Sequence, residues 1–300
     1  MKILKLTLDE KTAFHTLDHV MKQDLGLTKR QISQAKFRKE GICINGEKRR
    51  VSYVGRPGDV LTVCLEETGT HRGKSAPQEG ELEILYEDED ILAVNKPPGM
   101  PCHPGRGHYR DSLGNLAAGL FEKRGEPCPV RIIGRLDKDT SGVVILAKNQ
   151  AAGARLGIQK ENGTFWKEYL GLVRGHLEDV NGRIREPIGK IPGEKLKCQV
   201  TPQGKTADTR YEVREFLEDA TVTSWKICTG RTHQIRVHMA WLGYPILGDV
   251  LYGNGENPYF PELALHCRKA VFRQPFTGEK IQVLAPARHW GQIWKKEFLD

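Results

Sequence analysis

Long apolar runs are missing from this chain. No stretch of the 300 residues approaches the roughly 18 apolar positions that a membrane-crossing helix needs. The first ten residues, Met-Lys-Ile-Leu-Lys-Leu-Thr-Leu-Asp-Glu, hold no apolar block of leader-peptide length. A soluble cytoplasmic protein, with no membrane partner, is therefore expected. Cysteine is sparse: seven, an odd number, scattered with no close pair in metal-ligand or redox spacing. That argues for reduced thiols and against a disulfide framework. Cys102, His103 and His108 come nearest to a metal cluster, but their pattern is not that of a ligand set, and no metal is expected. Aromatic residues make up only 7%, although an apolar fraction of 38% still allows a real core. No internal repeat or low-complexity tract is present.

What the chain has in excess is positive charge. The net charge is +8 and the isoelectric point about 9.1, which points to a polyanionic partner. The charge is uneven: residues 29–50 carry eight Lys or Arg against two Glu. Concentration of this kind favours nucleic acid over a merely solvated face.

Length suggests two domains. Glu67 to Gly80 contains no Val, Ile, Leu, Met, Phe, Tyr or Trp and reads as a linker, so the expected division is 1–66, a linker 67–80, and 81–300. In the first part, Thr16 to Leu25 reads as a short helix. A second helix is capped by Thr28, with Gln31 completing a capping box, and Gly41 fits its end. Ile42-Cys-Ile44, Asn45-Gly46 and Glu47-Lys48 form a hairpin pattern with a type I′ turn. Arg56 to Asp59 is a further turn before the strand-like Val60 to Leu65. A unit this small buries too little core to be an enzyme by itself.

This segment resembles the small RNA-binding domain with the alpha-L motif, found in a ribosomal small-subunit protein and in tyrosyl-tRNA synthetases. The matching residues are Leu17-Asp18, Leu27 to Ile32, Glu40-Gly41, Ile44-Asn-Gly46 and Gly58-Asp59-Val60. The resemblance implies that Lys29, Arg30, Lys36, Arg38, Lys48, Arg49 and Arg50 face phosphates, contacts that position RNA without reading its sequence.

After the linker, strands alternate with shorter helices. Leu82 to Tyr86, Ile91 to Asn95, Val143 to Ala147 and Phe165 to Val173 read as strands. Gln150 to Lys160 reads as a helix, as does Thr232 to Leu242, where Ile235, Met239 and Leu242 share a face. Thr277-Gly278 marks a late hairpin. Within Phe165 to Val173, period two places Lys167, Tyr169 and Val173 on one face and Trp166, Leu170 and Leu172 on the other.

The most informative stretch is Arg135-Leu-Asp-Lys-Asp-Thr-Ser-Gly142. It puts a carboxylate, Asp137, on a loop that feeds a buried strand, where a functional group is held still. Asp139, Thr140 and Ser141 can hydrogen-bond their own backbone and set the turn. Asp137 fits that role poorly, because a partly buried carboxylate needs a partner; it reads either as catalytic or as half of a structural ion pair. Gly230-Arg-Thr-His-Gln-Ile-Arg-Val-His238 is the second notable segment. Its start offers a helix N-terminus suited to an anion. Arg236 reads there as solvated, and His233 and His238 as hydrogen-bonding scaffold.

Together these motifs resemble a pseudouridine synthase of the branch named after the ribosomal large-subunit enzyme RluA. The matches are Leu85 to Asp90 with Asn95 to Gly99; Arg135-Leu-Asp137 with Thr140-Ser-Gly142; Lys167-Glu-Tyr169; Pro187-Ile-Gly189; Gly230 to His238; and Gly243 to Asp249 with Tyr252-Gly253. One position departs. The branch usually has His before Arg-Leu-Asp and this chain has Gly134, as in the sister branch acting on the small ribosomal subunit. That sister branch lacks the Arg-Thr-His-Gln-Ile-Arg segment.

The resemblance implies an α+β fold: a small N-terminal unit of two helices and a sheet, then a catalytic domain with a mixed, largely antiparallel sheet flanked by helices and loops. It implies an isomerase that converts uridine in RNA to pseudouridine without a cofactor, as expected for a reaction with no redox change. By the same resemblance Asp137 is the catalytic carboxylate, as nucleophile or as base. Arg231 is its ion-pair partner, and Tyr169 stacks on the base. Arg135 fills the gap left by the extruded uridine, and Leu265 lines the pocket. Large-subunit ribosomal RNA is the favoured substrate, with transfer RNA as the alternative and a monomer as the default state. A non-catalytic RNA-binding assembly factor would leave the Asp137, Tyr169 and Arg231 set without a use. A glycoside hydrolase using Asp137 and Asp139 would need carboxylates flanking a bond at roughly 5–9 Å, which two residues on one tight turn do not supply.

Overall fold

The computed structural model describes residues 2–65, 75–105, 107–126, 128–194, 196–227, 229–287 and 290. The N-terminal unit comprises β1 (Lys2–Thr7), α1 (Leu17–Gln23), α2 (Lys29–Lys36), β2 (Ile42–Ile44), β3 (Glu47–Lys48) and β4 (Val60–Leu65). Its sheet runs β1-β4-β2-β3. Thr28 and Gln31 close the expected capping box on α2, and Asn45 and Gly46 take the positive φ angles of 51° and 85° that the two-residue turn requires. The expected place of Gly41 needs correcting. Helix α2 ends at Lys36, with Phe37 as its C-cap. Gly41 is required for another reason: a Cβ there would stand 1.8 Å from the carbonyl oxygen of Ala35. Leu17, Val20, Met21, Ile32, Leu61 and Val63 form a core of this unit's own.

The remainder is built on a ten-stranded sheet. In chain order come β5 (Glu83–Glu87), β6 (Ile91–Lys96), α3 (Leu113–Lys123), β7 (Arg131–Ile133), β8 (Ser141–Ala147), α4 (Gln150–Glu161) and β9 (Trp166–Arg174). Then follow β10 (Asn181–Ile184), β11 (Ile188–Lys190), β12 (Cys198–Val200), β13 (Thr209–Phe216), β14 (Ala220–Ile227), α5 (Gln234–Trp241), β15 (Leu265–Arg273) and β16 (Lys280–Leu284). The sheet order is β10-β13-β14-β9-β15-β8-β6-β5, with β16 on β15 and β7 on β8, while β11 and β12 pair separately. Among the described strands only β8 and β15 run parallel, so the sheet is mixed and largely antiparallel and the fold is α+β. Strand β8 is buried at every position, which explains why its sequence is a continuous apolar run rather than an alternation. Its glycine is obligatory: Gly142 sits at φ 109°, and a Cβ would meet the carbonyl oxygen of Cys267 on β15 at 2.2 Å.

Part of the expected linker, 67–74, lies outside the described residues. Residues 75–80 follow α3: the Asn115 amide donates to the Ala76 carbonyl at 2.7 Å, and the Gln78 N–H to the Asn115 carbonyl at 3.1 Å. The two units touch through charge. Lys2 pairs with Asp90 at 2.9 Å and Glu89 at 3.1 Å. Arg155 of α4 donates to the carbonyls of Leu25 and Pro275 and lies 4.5 Å over the Phe276 ring. Among the described residues no helix is long and apolar enough to cross a membrane.

Candidate active site

Asp137 sits in the loop that joins β7 to β8, and three buried groups hold that loop from below. Lys167, on β9, donates to the carbonyls of Gly134 at 2.7 Å and Val143 at 2.9 Å, tying the loop's start to the strand it enters. Lys96, at the end of β6, donates to the carbonyls of Pro97, Met100 and Lys138, each at 2.8 Å. Cys102 accepts from the Leu136 N–H at 3.3 Å. Neither lysine has a carboxylate in these contacts; each spends its ammonium protons on backbone carbonyls that burial would otherwise leave unpaired. Burial lowers the pKa of both, Lys96 to about 8. Gly134 opens the loop at φ 67°, a left-handed conformation that disfavours side chains. The space around its missing Cβ is ordinary, the nearest atom being Phe165 Cε1 at 3.5 Å. The backbone, not crowding, is what glycine relieves there.

Above the loop lies a pocket of about 110 Å³ whose lining includes Asp137, Tyr169, Arg135, Arg231, His233 and Leu265. Five positions singled out in the sequence, Asp137, Tyr169, Arg231, Arg135 and Leu265, thus converge although they span 130 residues of chain. Tyr169 is buried, on the same strand face as Lys167, as its period predicts. Burial, then the neighbouring Cys267 thiol and the Asp137 charge, push its phenol well above the usual range. Tyr169 therefore stays protonated at neutral pH, suited to stacking and to donating a hydrogen bond rather than to removing a proton. Arg135 is exposed and donates to the Thr232 hydroxyl at 3.1 Å. Leu265 begins β15 and is 3% exposed.

The partner of Asp137 differs from expectation. Arg236 Nη1 stands 3.9 Å from Asp137 Oδ2, whereas Arg231 donates its Nε–H to the Thr206 carbonyl at 2.8 Å and occupies the pocket wall. Arg236 is not a solvated helix-start residue: its side chain is 4% exposed. It makes a bidentate pair with the fully buried Asp249, at 2.7 and 2.8 Å, and stacks over Tyr252 at 5.3 Å. Burial opposes its charge, but the Asp249 hydrogen bonds and the charges of Asp249 and Asp137 outweigh that and raise its pKa. Helix α5 is covered on both sides, with Ile235 and Met239 in the main core and Val237 in a small cluster with Ile188, Cys198 and Ala207. Only Ile235, Met239 and Leu242 announced a buried face in the sequence, so Arg236 was assigned to water. The signal that could have found it is the second arginine of the motif lying one residue from Ile235 together with an acidic turn, Gly248-Asp249, downstream.

His233 precedes α5 at φ 54° and ψ 26°, uncommon for a residue with a side chain. Its Nδ1 shares a hydrogen bond with the Tyr252 hydroxyl at 2.9 Å, and that hydroxyl accepts from the Cys198 N–H at 2.9 Å. Gln234 accepts from the Arg231 N–H at 3.0 Å and donates to the Asp208 carbonyl at 3.0 Å. The segment from Gly230 to His238 is thereby pinned from both ends. His238 has its Nε2 on the Glu186 carbonyl and its Nδ1 on the Thr209 hydroxyl, both at 2.9 Å, a scaffold role as expected.

Of the seven basic residues expected to face RNA in the N-terminal unit, Lys29, Arg30, Lys36, Lys48 and Arg50 are exposed, and Arg38 and Arg49 half-buried. Arg49 pairs with Glu47 at 2.5 Å. Phe37, 77% exposed, stands beside Lys36.

Comparison with known proteins matches residues 90–241 to the family model for RNA pseudouridylate synthase. The chain is 36% identical over 266 residues to the uncharacterized RNA pseudouridine synthase YjbO of Bacillus subtilis (strain 168), covering 88% of this chain and 92% of that protein. It is 36% identical over 263 residues to the ribosomal large subunit pseudouridine synthase D of Vibrio cholerae serotype O1, covering 82% and 79%. Among solved structures, human RNA pseudouridylate synthase domain containing 1 superposes with a TM-score of 0.57 at 28% identity, over 70% of this chain and 86% of that one. The loop carboxylate and the tyrosine that share this pocket, with the buried arginine beside the carboxylate, thus belong to a member of the RNA pseudouridylate synthase family, enzymes that isomerise uridine in RNA.

Proposed function

We propose that the chain isomerises specific uridines of large-subunit ribosomal RNA, with Asp137 as the catalytic carboxylate and an extruded uridine held against Tyr169. The observation that carries the reading is that Asp137 and Tyr169 line one pocket, with the buried Arg236 beside the Asp137 carboxylate. Asp137 keeps 21% of its side chain exposed, so it is reachable by a sugar. At 3.9 Å, Arg236 is near enough to orient the carboxylate and too far to occupy it. The carboxylate either attacks the anomeric carbon as the glycosidic bond breaks or takes a proton from the neighbouring sugar carbon. The freed base turns within the pocket, rejoins through its ring carbon, and loses the proton that carbon carried.

Arg135, exposed at the mouth, would occupy the gap in the RNA stack, offsetting an extrusion cost of a few kcal/mol. Arg231 serves as a phosphate clamp at the wall, and Leu265 packs under the base. Residues 1–66 act as the RNA-binding domain, with 81–300 as the catalytic domain. The ribosomal substrate is supported by the name of the Vibrio relative and by the basic N-terminal unit. The test is Asp137→Asn in purified protein: RNA binding stays largely intact and pseudouridine formation, read by chemical mapping of the RNA, falls below detection. Product from that variant overturns the assignment.

A further inference from the structure

The register of the large sheet lines up charge that is almost all of one sign. Arg183 on β10 is directly opposite Arg210 on β13, and Arg210 is opposite Lys226 on β14. Lys226 is opposite Glu168 on β9, and Glu168 is opposite Lys269 on β15. Residues paired in this way point to the same side of a sheet, so one row across five strands carries four cations and a single carboxylate. Arg183, Arg210 and Lys226 are exposed, Lys269 and Glu168 half-buried. Arg183 is committed to Asp208, to which its Nε–H donates at 2.9 Å. Arg210, Lys226 and Lys269 make no ion pair or hydrogen bond among the described residues, and Glu168 pairs with neither lysine. Neither solvation nor edge protection accounts for the row. Alternating signs would solvate the face as well, whereas like charges directly opposite one another are destabilising. Cations also guard exposed sheet edges, yet β13, β14 and β15 are interior strands.

The indole of Trp166 gathers one end of the row. It lies on the same face of β9 as Glu168, with the Lys226 ammonium 4.1 Å and the Lys269 ammonium 5.6 Å from its ring centroid. The β9–β14 ladder ends at Lys167 and Ile227. Trp166 therefore stands just beyond it, at the end of the sheet, and it lines the pocket that holds Asp137 and Tyr169. From Arg210 to Lys269 the row covers three strand spacings, about 14 Å. That is too long for one small anion and suits consecutive phosphates of an extended backbone. We propose that this row binds the phosphates of the RNA segment flanking the target uridine, which leaves the pocket past Trp166 onto the outer face of the sheet. This rests on the reading of the pocket as a uridine site.

The test titrates the full chain with a large-subunit ribosomal RNA transcript over a range of salt. In the triple variant Arg210→Gln, Lys226→Gln and Lys269→Gln, the slope of log K against log salt should flatten by about 2–3, as each lost phosphate contact removes roughly 0.7–0.9. Melting curves check that the variant folds. If it does not, the pair Arg210→Gln and Lys226→Gln, both at exposed positions, should flatten the slope by about 1.4–1.8. Trp166→Leu keeps every charge and frees the two lysines, so it should raise Kd about two- to fivefold with the slope unchanged. The second probe is a short RNA centred on the uridine that chemical mapping shows to be modified, and the same flattening is expected on it. An unchanged slope on the transcript overturns the row as an RNA contact. Flattening on the transcript but not on the short RNA overturns the flanking assignment. If wild-type protein makes no pseudouridine while the triple variant still flattens the slope, the uridine reading fails and the row stands as an RNA contact.

Discussion

The two halves of the molecule use positive charge in opposite ways. In the N-terminal unit Lys29, Arg30, Lys36, Lys48 and Arg50 stand in solvent. In the catalytic half Lys96, Lys167 and Arg236 are 0%, 5% and 3% exposed, and their partners are backbone carbonyls or a buried aspartate. Exposed cations add to a field that attracts a polyanion and weakens with salt. Buried ones add little to that field; they hold the Asp137 loop and the start of α5 in place. A net charge of +8 sums the two kinds without distinction.

The largest cost falls on Arg236→Gln. It leaves Asp249, 1% exposed, without its bidentate partner, and breaking a buried pair costs about 3–5 kcal/mol. Urea unfolding should show that loss, and pseudouridine formation should collapse in parallel because Asp137 loses its neighbour. Arg236→Lys should not restore activity: one ammonium lacks the planar fork needed to bond both Asp249 oxygens while facing Asp137. Full activity in the lysine variant would place the essential feature in charge alone.

Lys167→Met comes next. The substitution keeps the stem volume and removes a buried charge, but strands the carbonyls of Gly134 and Val143. A net cost of about 1–3 kcal/mol is expected, with a fall in kcat on the order of tenfold from a looser Asp137 loop. A stability loss with unchanged kcat would reduce Lys167 to a fold residue.

Histidine gives a smaller, pH-dependent effect. His238 is fully buried, and burial holds its pKa below the ordinary 6.5. The unfolded chain therefore takes up a proton that the folded chain refuses as pH falls below 6.5, and stability drops on the acid side. Up to about 1 kcal/mol should be lost between pH 6.5 and 5.5, and a His238→Gln variant should lose that part of the slope. An identical acid slope in wild type and variant removes the contribution.

Much of this was legible in the sequence where a local rule set the structure. The capping box of α2, the Asn45-Gly46 turn and the alternation that put Lys167 and Tyr169 on one face depend on neighbours within a few residues. Asp137 was legible because a carboxylate ahead of an apolar strand conflicts with the bland reading of that loop. Arg236 was not, since its burial is produced by Asp249 and by the β11 and β12 pair packing on the far side of α5, contacts no periodicity within the helix encodes. Gly41 was read as a helix cap, but the close approach to the Ala35 carbonyl depends on how the chain returns after α2 has ended. Strand β1 and helix α3 carry weak sequence signals: β1 contributes only one buried residue, Leu4, and α3 starts from a loop with a Ser112–Asn115 capping box that lacks the usual Glu or Gln.

The smallest effect on the fold should come from the exposed cations, and there the comparison is sharpest. Replacing Lys29, Arg30 and Lys36 together with Gln removes three charges from solvent. None of the three has a carboxylate partner among the ion pairs of the described residues. Stability should change by no more than about 0.5 kcal/mol for each site. RNA affinity should fall, and the slope of log K against log salt should flatten by about 2–3, since each lost phosphate contact removes roughly 0.7–0.9. Residual binding should keep the part of the slope that Lys48, Arg50 and the other remaining cations supply. A variant that binds as tightly and with the same slope would show that these cations do not touch RNA, and that the division between exposed and buried charge does not coincide with the division between attraction and chemistry.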